Sequence, residues 1–209
     1  MIKLLTADTP HGHRASLILE EAGLDYKVKV VDLAKGEQRE PGFLKLNPRG
    51  QIPVVVDDEG PNGQRLVLTQ SSAIVLFYAR RENVLWPEDP MVQTMALQWL
   101  MHATSDVSAL GATLYALEGF VPDKSEANVE FFMDRLEHHL TYLEQRLESV
   151  DYLAGEVSVA DIGLFPLIAW RRDWLETLGG FPAVEAWMAR MDARPASAAG
   201  LKAHERALA

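Results

Sequence analysis

The chain contains no cysteine. That absence excludes a disulfide framework, a thiolate zinc site and a protein thiol as nucleophile. Any thiol chemistry must use a sulfur that a ligand brings. Basic residues are scarce beside acidic ones: 20 Lys and Arg face 30 Asp and Glu, for a net charge of −10. Phosphate recognition needs a positive footprint, so general binding to nucleic acid or to an anionic membrane is disfavoured. No apolar run approaches the roughly 20 residues of a membrane span. The opening residues reach Asp8 and Pro10 after a short strand-like run and do not read as a secretory signal. A cytoplasmic protein is expected. No phosphate loop or hydrolase elbow is present. His11 and His13 form a His-x-His pair with no third ligand in view, and His138 and His139 diverge by roughly 100° on a helix, so no metal is expected.

What is present is an ordinary globular composition, 48% hydrophobic and 24% charged over 209 residues, enough for one or two domains with a sizeable core. The pattern changes near residue 85. Before it, strand-like and helix-like segments alternate: Ile2 to Leu5, a helix from His11 to Gly23, a strand from Tyr26 to Val31, and a short helix within Glu40 to Leu46. Strands at Ile52 to Val56 and Arg65 to Leu68 follow, then a helix from Gln70 to Arg81. The order β-α-β-α-β-β-α implies a parallel first pair and a later hairpin. Glu82 to Pro90, bounded by prolines, reads as a connector. Beyond it the patterns are helical: Met91 to Gly119, Ser125 to Val150, Ser158 to Trp174 and Phe181 to Ala193. The expected division is an α/β domain at 1–82, a linker at 83–90 and an all-helical domain at 91–209.

Three local features carry more than this outline. Asn47 to Val56 places Pro53 at the mouth of a Val-rich strand. That suits either an ordinary strand-start proline or a cis Ile52–Pro53 bond, which would turn the Ile52 backbone toward an extended peptide. Thr69-Gln70-Ser71-Ser72 opens an apolar helix. It is either a simple N-cap or a carboxylate site made of free N–H groups and a hydroxyl. Ser158-Val159-Ala160-Asp161 is a capping box, with Val157 and Ile162 at staple positions, and its structural reading is favoured over a catalytic Asp.

In this order and spacing, the three features resemble the cytosolic glutathione transferases over essentially the whole chain. The resemblance implies an α/β thioredoxin-like N-terminal domain followed by an all-α C-terminal domain. Thr9-Pro10-His11-Gly12-His13-Arg14, the run Leu19 to Tyr26, Lys35 to Gln38, and Phe43 to Pro48 are similar to the bacterial nu-class and yeast prion-protein-like members. Those members typically reduce disulfides with glutathione and show weak conjugating activity. The resemblance gives roles residue by residue. Ile52, before Pro53, would pair its backbone with the cysteinyl unit of glutathione. Gln70 and Ser71 would hold the γ-glutamyl end, Gln51 would lie near the glycyl end, and Gln38 matches a contacting glutamine. Thr9 matches the hydroxyl residue after the first strand. His11 stands where these members usually carry Asn, and Gln70 where Glu is usual.

A physical argument for Thr9 stands beside the resemblance. A free thiol near pKa 8.5 is only a few per cent ionised at pH 7. Lowering that pKa by two units needs roughly 2.7 kcal/mol of preferential stabilisation. One charge-assisted hydrogen bond supplies about 1.5–3 kcal/mol, and a helix N-terminus adds to it. Thr9 can donate the bond with help from His11, and it can equally serve as the N-cap of a helix with Pro10 at its first position. No tyrosine lies in this loop, which disfavours a tyrosine-type transferase. Met95, Trp99, Met101, His102 and Tyr115 fall on the helix that lines the co-substrate site in the family. Most are expected to be core, with His102 or Tyr115 as candidates to face the site. The expected enzyme is a glutathione transferase with disulfide reductase activity, acting on a disulfide or small electrophile and forming a homodimer. A non-catalytic interaction module is the alternative, and a glutathione-using dehalogenase or isomerase shares the same site.

Overall fold

Alternating apolar residues organise the sheet of the computed structural model, which describes residues 1–208. β1 (Ile2–Thr6) pairs in parallel with β2 (Tyr26–Val30), and α1 (Pro10–Glu21) makes the crossover. A 3-10 turn at Glu37–Arg39 and the one-turn α2 (Pro41–Leu44) lead to β3 (Val54–Asp57), which runs antiparallel to β1. β4 (Leu66–Thr69) returns beside β3 as a hairpin, giving the four-stranded order β2-β1-β3-β4, and α3 (Ser71–Arg81) follows. The expected element order is therefore present. β3 begins at Val54 rather than Ile52, because Pro53 has no N–H to offer the ladder. Leu5, Val31, Phe43, Val54 and Val56 form one buried cluster, while alternation puts Leu4 and Val55 on the opposite face.

The chain separates into two compact units, Met1–Trp86 with Asp192–Ala209, and Pro87–Met191. The sequence-based division placed 91–209 together, so the C-terminal segment is a difference with a physical cause. α10 (Pro195–Leu201) packs on α1 at a close approach: a Cβ on Gly200 would lie 2.9 Å from the Leu17 Cα. The buried Ser16 hydroxyl donates to the Gly200 carbonyl at 2.7 Å. Arg194 grips Glu21 with two bonds of 2.7 and 2.6 Å, and Arg206 reaches Glu20 at 2.7 Å.

The second unit is helical. α4 (Pro90–Met101) passes through a π turn at His102–Val107 into α5 (Ser108–Gly119), where the sequence pattern reads as one helix. α6 (Glu126–Leu147) presents Leu136, Leu140, Leu143 and Leu147 as its buried stripe. The helix expected from Ser158 to Trp174 divides into α7 (Val159–Ala169) and α8 (Arg172–Leu178), and α9 (Pro182–Asp192) closes the unit. The capping box of α7 is present. The Asp161 carboxylate accepts from the N–H groups of Ser158 at 2.9 Å and Leu153 at 3.1 Å, and from the Trp187 indole at 2.9 Å. Asp161 and Ser158 are fully buried, which makes both of them scaffold. Among the described residues, no helix is long and apolar enough to cross a membrane.

Candidate active site

The register of the sheet brings the sequence-predicted residues to one edge. Val54 pairs with Leu5 on one side and with Thr69 on the other. The end of β1, the entry to β3 and the junction between β4 and α3 therefore meet there. Thr9 follows β1, Ile52 and Pro53 precede Val54, and Gln70 and Ser71 follow Thr69.

Thr9 is the N-cap of α1, extended at φ −155° and ψ 154°, with Pro10 in the first turn. Its hydroxyl oxygen accepts from the Gly12 N–H at 3.0 Å. A hydroxyl that accepts at its oxygen still carries a proton to donate. Both roles read from the sequence are thus compatible in one side chain. Gly12 permits the close approach of helix and strand, since a Cβ there would overlap the Ala7 carbonyl and the Thr6 hydroxyl.

His11 lies partly buried one position into the first turn. Its Nδ1 sits 3.3 Å from the Arg14 guanidinium nitrogen Nη1. Arginine only donates, so Nδ1 accepts and the ring proton resides on Nε2. Burial and then the Arg14 charge push His11 down to about 4, so the ring is neutral at pH 7. The same Arg14 nitrogen donates to the Ser71 hydroxyl at 3.4 Å. Arg14 is itself buried, which brings it down to about 9 and leaves it charged at neutral pH. It ties the first turn of α1 to the first turn of α3. Sequence reasoning missed this residue. A charged side chain within an amphipathic helix reads as surface, and only tertiary packing reveals its burial.

The Ile52–Pro53 bond is cis, and Ile52 lies outside the ladder formed by β3. The exposed Gln51 has its carbonyl held by the Asn47 amide at 2.6 Å. Gly50, at φ 62°, lies so near the Gln38 carbonyl that a Cβ would stand 2.9 Å from it. Gln38 and Gln51 thus belong to adjoining loops. The Gln38 amide donates to the Leu33 carbonyl at 3.3 Å, and its Oε1 is buried without a hydrogen-bond partner.

Gln70 is exposed and adopts φ 71° and ψ 108°, a region L-residues rarely occupy. It makes no side-chain capping bond to α3, so the helix begins with N–H groups that no cap residue takes. Ser71 and Ser72 are buried at this end. The arrangement offers a carboxylate a dipole, backbone donors and a hydroxyl together.

The His-x-His pair divides between two surroundings. His11 faces Arg14, whereas His13 places Nε2 3.0 Å from Asp8, whose other oxygen lies 3.8 Å from His204. In the second unit, Trp99 is buried and stacks on Tyr142 at 4.7 Å, and His102 packs edge-on against both and beside His139. Met101 and Tyr115 are exposed.

Two family models match the chain. One describes the N-terminal domain of glutathione S-transferase, over residues 9–81, and the other its C-terminal domain, over residues 94–195. The chain is 34% identical to the disulfide-bond oxidoreductase YfcG of Escherichia coli, over 96% of this chain and 94% of that relative. A solved glutathione transferase from Burkholderia graminis, with two glutathione molecules bound per subunit, matches with a TM-score of 0.91 at 30% identity, covering 98% of this chain and 89% of that one. One from Pseudomonas putida, with one glutathione disulfide bound per subunit, matches with a TM-score of 0.88 at 30% identity, over 96% and 90%.

Proposed function

Because the chain belongs to the glutathione S-transferase family, we propose that its sheet edge binds glutathione and that the enzyme uses the bound thiolate to reduce disulfides or to attack small electrophiles. The observation that carries this reading is the convergence of the Thr9 hydroxyl, the cis Ile52–Pro53 peptide and the start of α3 at one edge. Ile52 offers backbone groups to the cysteinyl unit. Ser71 and the first N–H groups of α3 take the γ-glutamyl carboxylate, with Gln70 beside its amine. Gln38 and Gln51 serve the glycyl end.

Thr9 donates its hydroxyl proton to the sulfur, and His11 has a neutral Nε2–H as a second donor. Neither side chain has to lose a proton. Both favour the thiolate over the thiol, and about 2.7 kcal/mol, within reach of one such bond together with the helix N-terminus, is enough to ionise most of the ligand at neutral pH. The reaction balances as two exchanges. The thiolate attacks one sulfur of the disulfide, forming a mixed disulfide and expelling the other sulfur as a thiolate. A second glutathione then attacks the mixed disulfide, yielding oxidised glutathione and the second thiol. The relationship to YfcG and to transferases holding glutathione and its disulfide supports this reading. Conjugation of the general glutathione transferase type, homodimeric assembly, a bacterial and cytoplasmic setting, and a part in detoxification extend the same proposal.

The test is glutathione-dependent reduction of a small symmetrical disulfide, coupled through glutathione reductase to NADPH consumption. Turnover that falls in Thr9→Ala while the Michaelis constant for glutathione holds supports the proposal. Binding without turnover on disulfides moves the reading to conjugation or dehalogenation. No binding at millimolar glutathione leaves a non-catalytic interaction module. Sedimentation as a single chain near 23.3 kDa removes the homodimer.

A further inference from the structure

We propose that Asp8, His13 and His204 form a binding site for one divalent transition-metal ion of the zinc type, which fastens the C-terminal segment to the loop that ends at Thr9. All three residues belong to the first compact unit. One atom from each, two imidazole nitrogens and one carboxylate oxygen, can be chosen so that all lie within 4.8 Å of one another. The carboxylate occupies the middle, with Oδ1 3.0 Å from His13 Nε2 and Oδ2 3.8 Å from His204 Nε2. A tetrahedral ion with bonds of about 2.0–2.2 Å holds its ligand atoms roughly 3.3–3.5 Å apart. Each imidazole already stands near that spacing from one carboxylate oxygen, His13 from Oδ1 and His204 from Oδ2. From a largest separation of 4.8 Å, the ligand atoms need to draw together by no more than about 1.5 Å to reach that spacing.

The surroundings fit a site that an ion can reach. The Asp8 side chain is 57% exposed, against 10% for His13 and 21% for His204. Entry and an open fourth position for water therefore lie on the Asp8 side. The imidazole rings are 5.8 Å apart and tilted by 32°, so they do not stack face to face as a simple packing pair would. Among the described residues, His204 Nδ1 is buried without a hydrogen-bond partner, which leaves Nε2, the nitrogen beside Asp8, as the ligand atom of that ring. Two imidazoles and one carboxylate select zinc, nickel, copper or cobalt over magnesium or calcium, which prefer all-oxygen shells. The sequence conceals the site because His13 and His204 stand at opposite ends of the chain. Only the return of the C-terminal segment onto α1 and β2 unites them.

The experiment uses the full-length, untagged protein stripped with a chelator. Zinc titrated calorimetrically at pH 7.5 is expected to bind at one ion per chain and to raise the melting temperature, with magnesium doing neither. Cobalt in place of zinc is expected to give the visible absorption of a low-symmetry nitrogen–oxygen site, a readout that needs no variant. His204→Gln and Asp8→Asn should each weaken zinc binding by at least about tenfold, the lower end of what losing even an outer-shell partner costs a metal site. His138→Gln, on the exposed face of α6, should leave it unchanged. Absence of both heat and cobalt absorption overturns the proposal. So does zinc affinity that survives in folded His204→Gln.

Discussion

Three helix N-termini in this protein carry a hydroxyl residue at the cap or in the first turn and put it to two different ends. At α7, Ser158 and Asp161 are fully buried, and every oxygen of the carboxylate has a donor from Ser158, Leu153 or Trp187. Nothing is left to offer a ligand. At α1 and α3 no acidic residue in the first turn closes the cap. Thr9 caps α1 with its oxygen and keeps its proton, while Gln70 leaves the first N–H groups of α3 uncapped. A saturated cap is scaffold, whereas an open one has donors to offer the glutathione proposed to bind there. The residue types alone do not distinguish them, because the distinction lies in who else reaches the cap.

The largest effect expected from breaking this comparison is at Asp161. Asp161→Ala removes the carboxylate from four buried donors, the Leu153 and Ser158 N–H groups, the Ser158 hydroxyl and the Trp187 indole, each costing about 1–3 kcal/mol when left unpaired. The losses are not additive, and a fall of about 3–5 kcal/mol in unfolding free energy is expected in urea titration. The Michaelis constant for glutathione of the protein that still folds should not move. A loss below about 1 kcal/mol would mean that water replaces the carboxylate and that this cap is not closed.

Thr9→Ala comes next and should separate stability from turnover. Losing the N-cap costs about 0.5–2 kcal/mol of folding free energy. Losing the thiolate donor costs about 1.5–3 kcal/mol, or roughly 10–150-fold in turnover at neutral pH. Thr9→Ser should restore most of both. Turnover that falls no further than the folded fraction would leave Thr9 as a cap alone.

Much of this is legible in the sequence alone. Period-two alternation marked the strands, Pro10 and Gly23 bounded the first helix, and Ser158-x-x-Asp161 announced its own geometry. These signals are local. What stayed hidden depended on distant partners. Arg14 looks like one more charged residue on an amphipathic helix until α3 brings Ser71 over it. The return of residues 192–208 to α1 depends on Ser16 meeting Gly200 and Glu21 meeting Arg194, pairs that no periodicity connects. The π turn at His102–Val107 leaves the apolar pattern of α4 and α5 unbroken, and so reads as one helix. Asp8 and His204 are a contact of the same distant kind.

A matched pair of serines sharpens the contrast at a smaller scale. Ser71→Ala removes the hydroxyl in the first turn of α3 that accepts from Arg14 at 3.4 Å. It should raise the Michaelis constant for glutathione about five- to tenfold, equivalent to about 1–1.4 kcal/mol, with little change in kcat. Ser158→Ala should cost about 1 kcal/mol of stability with no change in that constant. If the two variants behave alike in both measurements, the difference between an open and a closed cap disappears.

The smallest effect should run in the opposite direction and is the most informative about how the open cap persists. Gln70 holds φ 71°, a conformation that costs a residue with a Cβ about 1–3 kcal/mol. Glycine adopts it freely but loses more backbone entropy on folding, by roughly 0.5–1 kcal/mol. Gln70→Gly should therefore stabilise the protein by about 0.5–1 kcal/mol in urea titration while weakening glutathione binding, because the amide beside the ligand is gone. Gain of stability with loss of affinity is the behaviour of a residue kept for its ligand. Loss of both would instead make the Gln70 side chain part of the scaffold, and α3 would then begin with a cap as closed as that of α7.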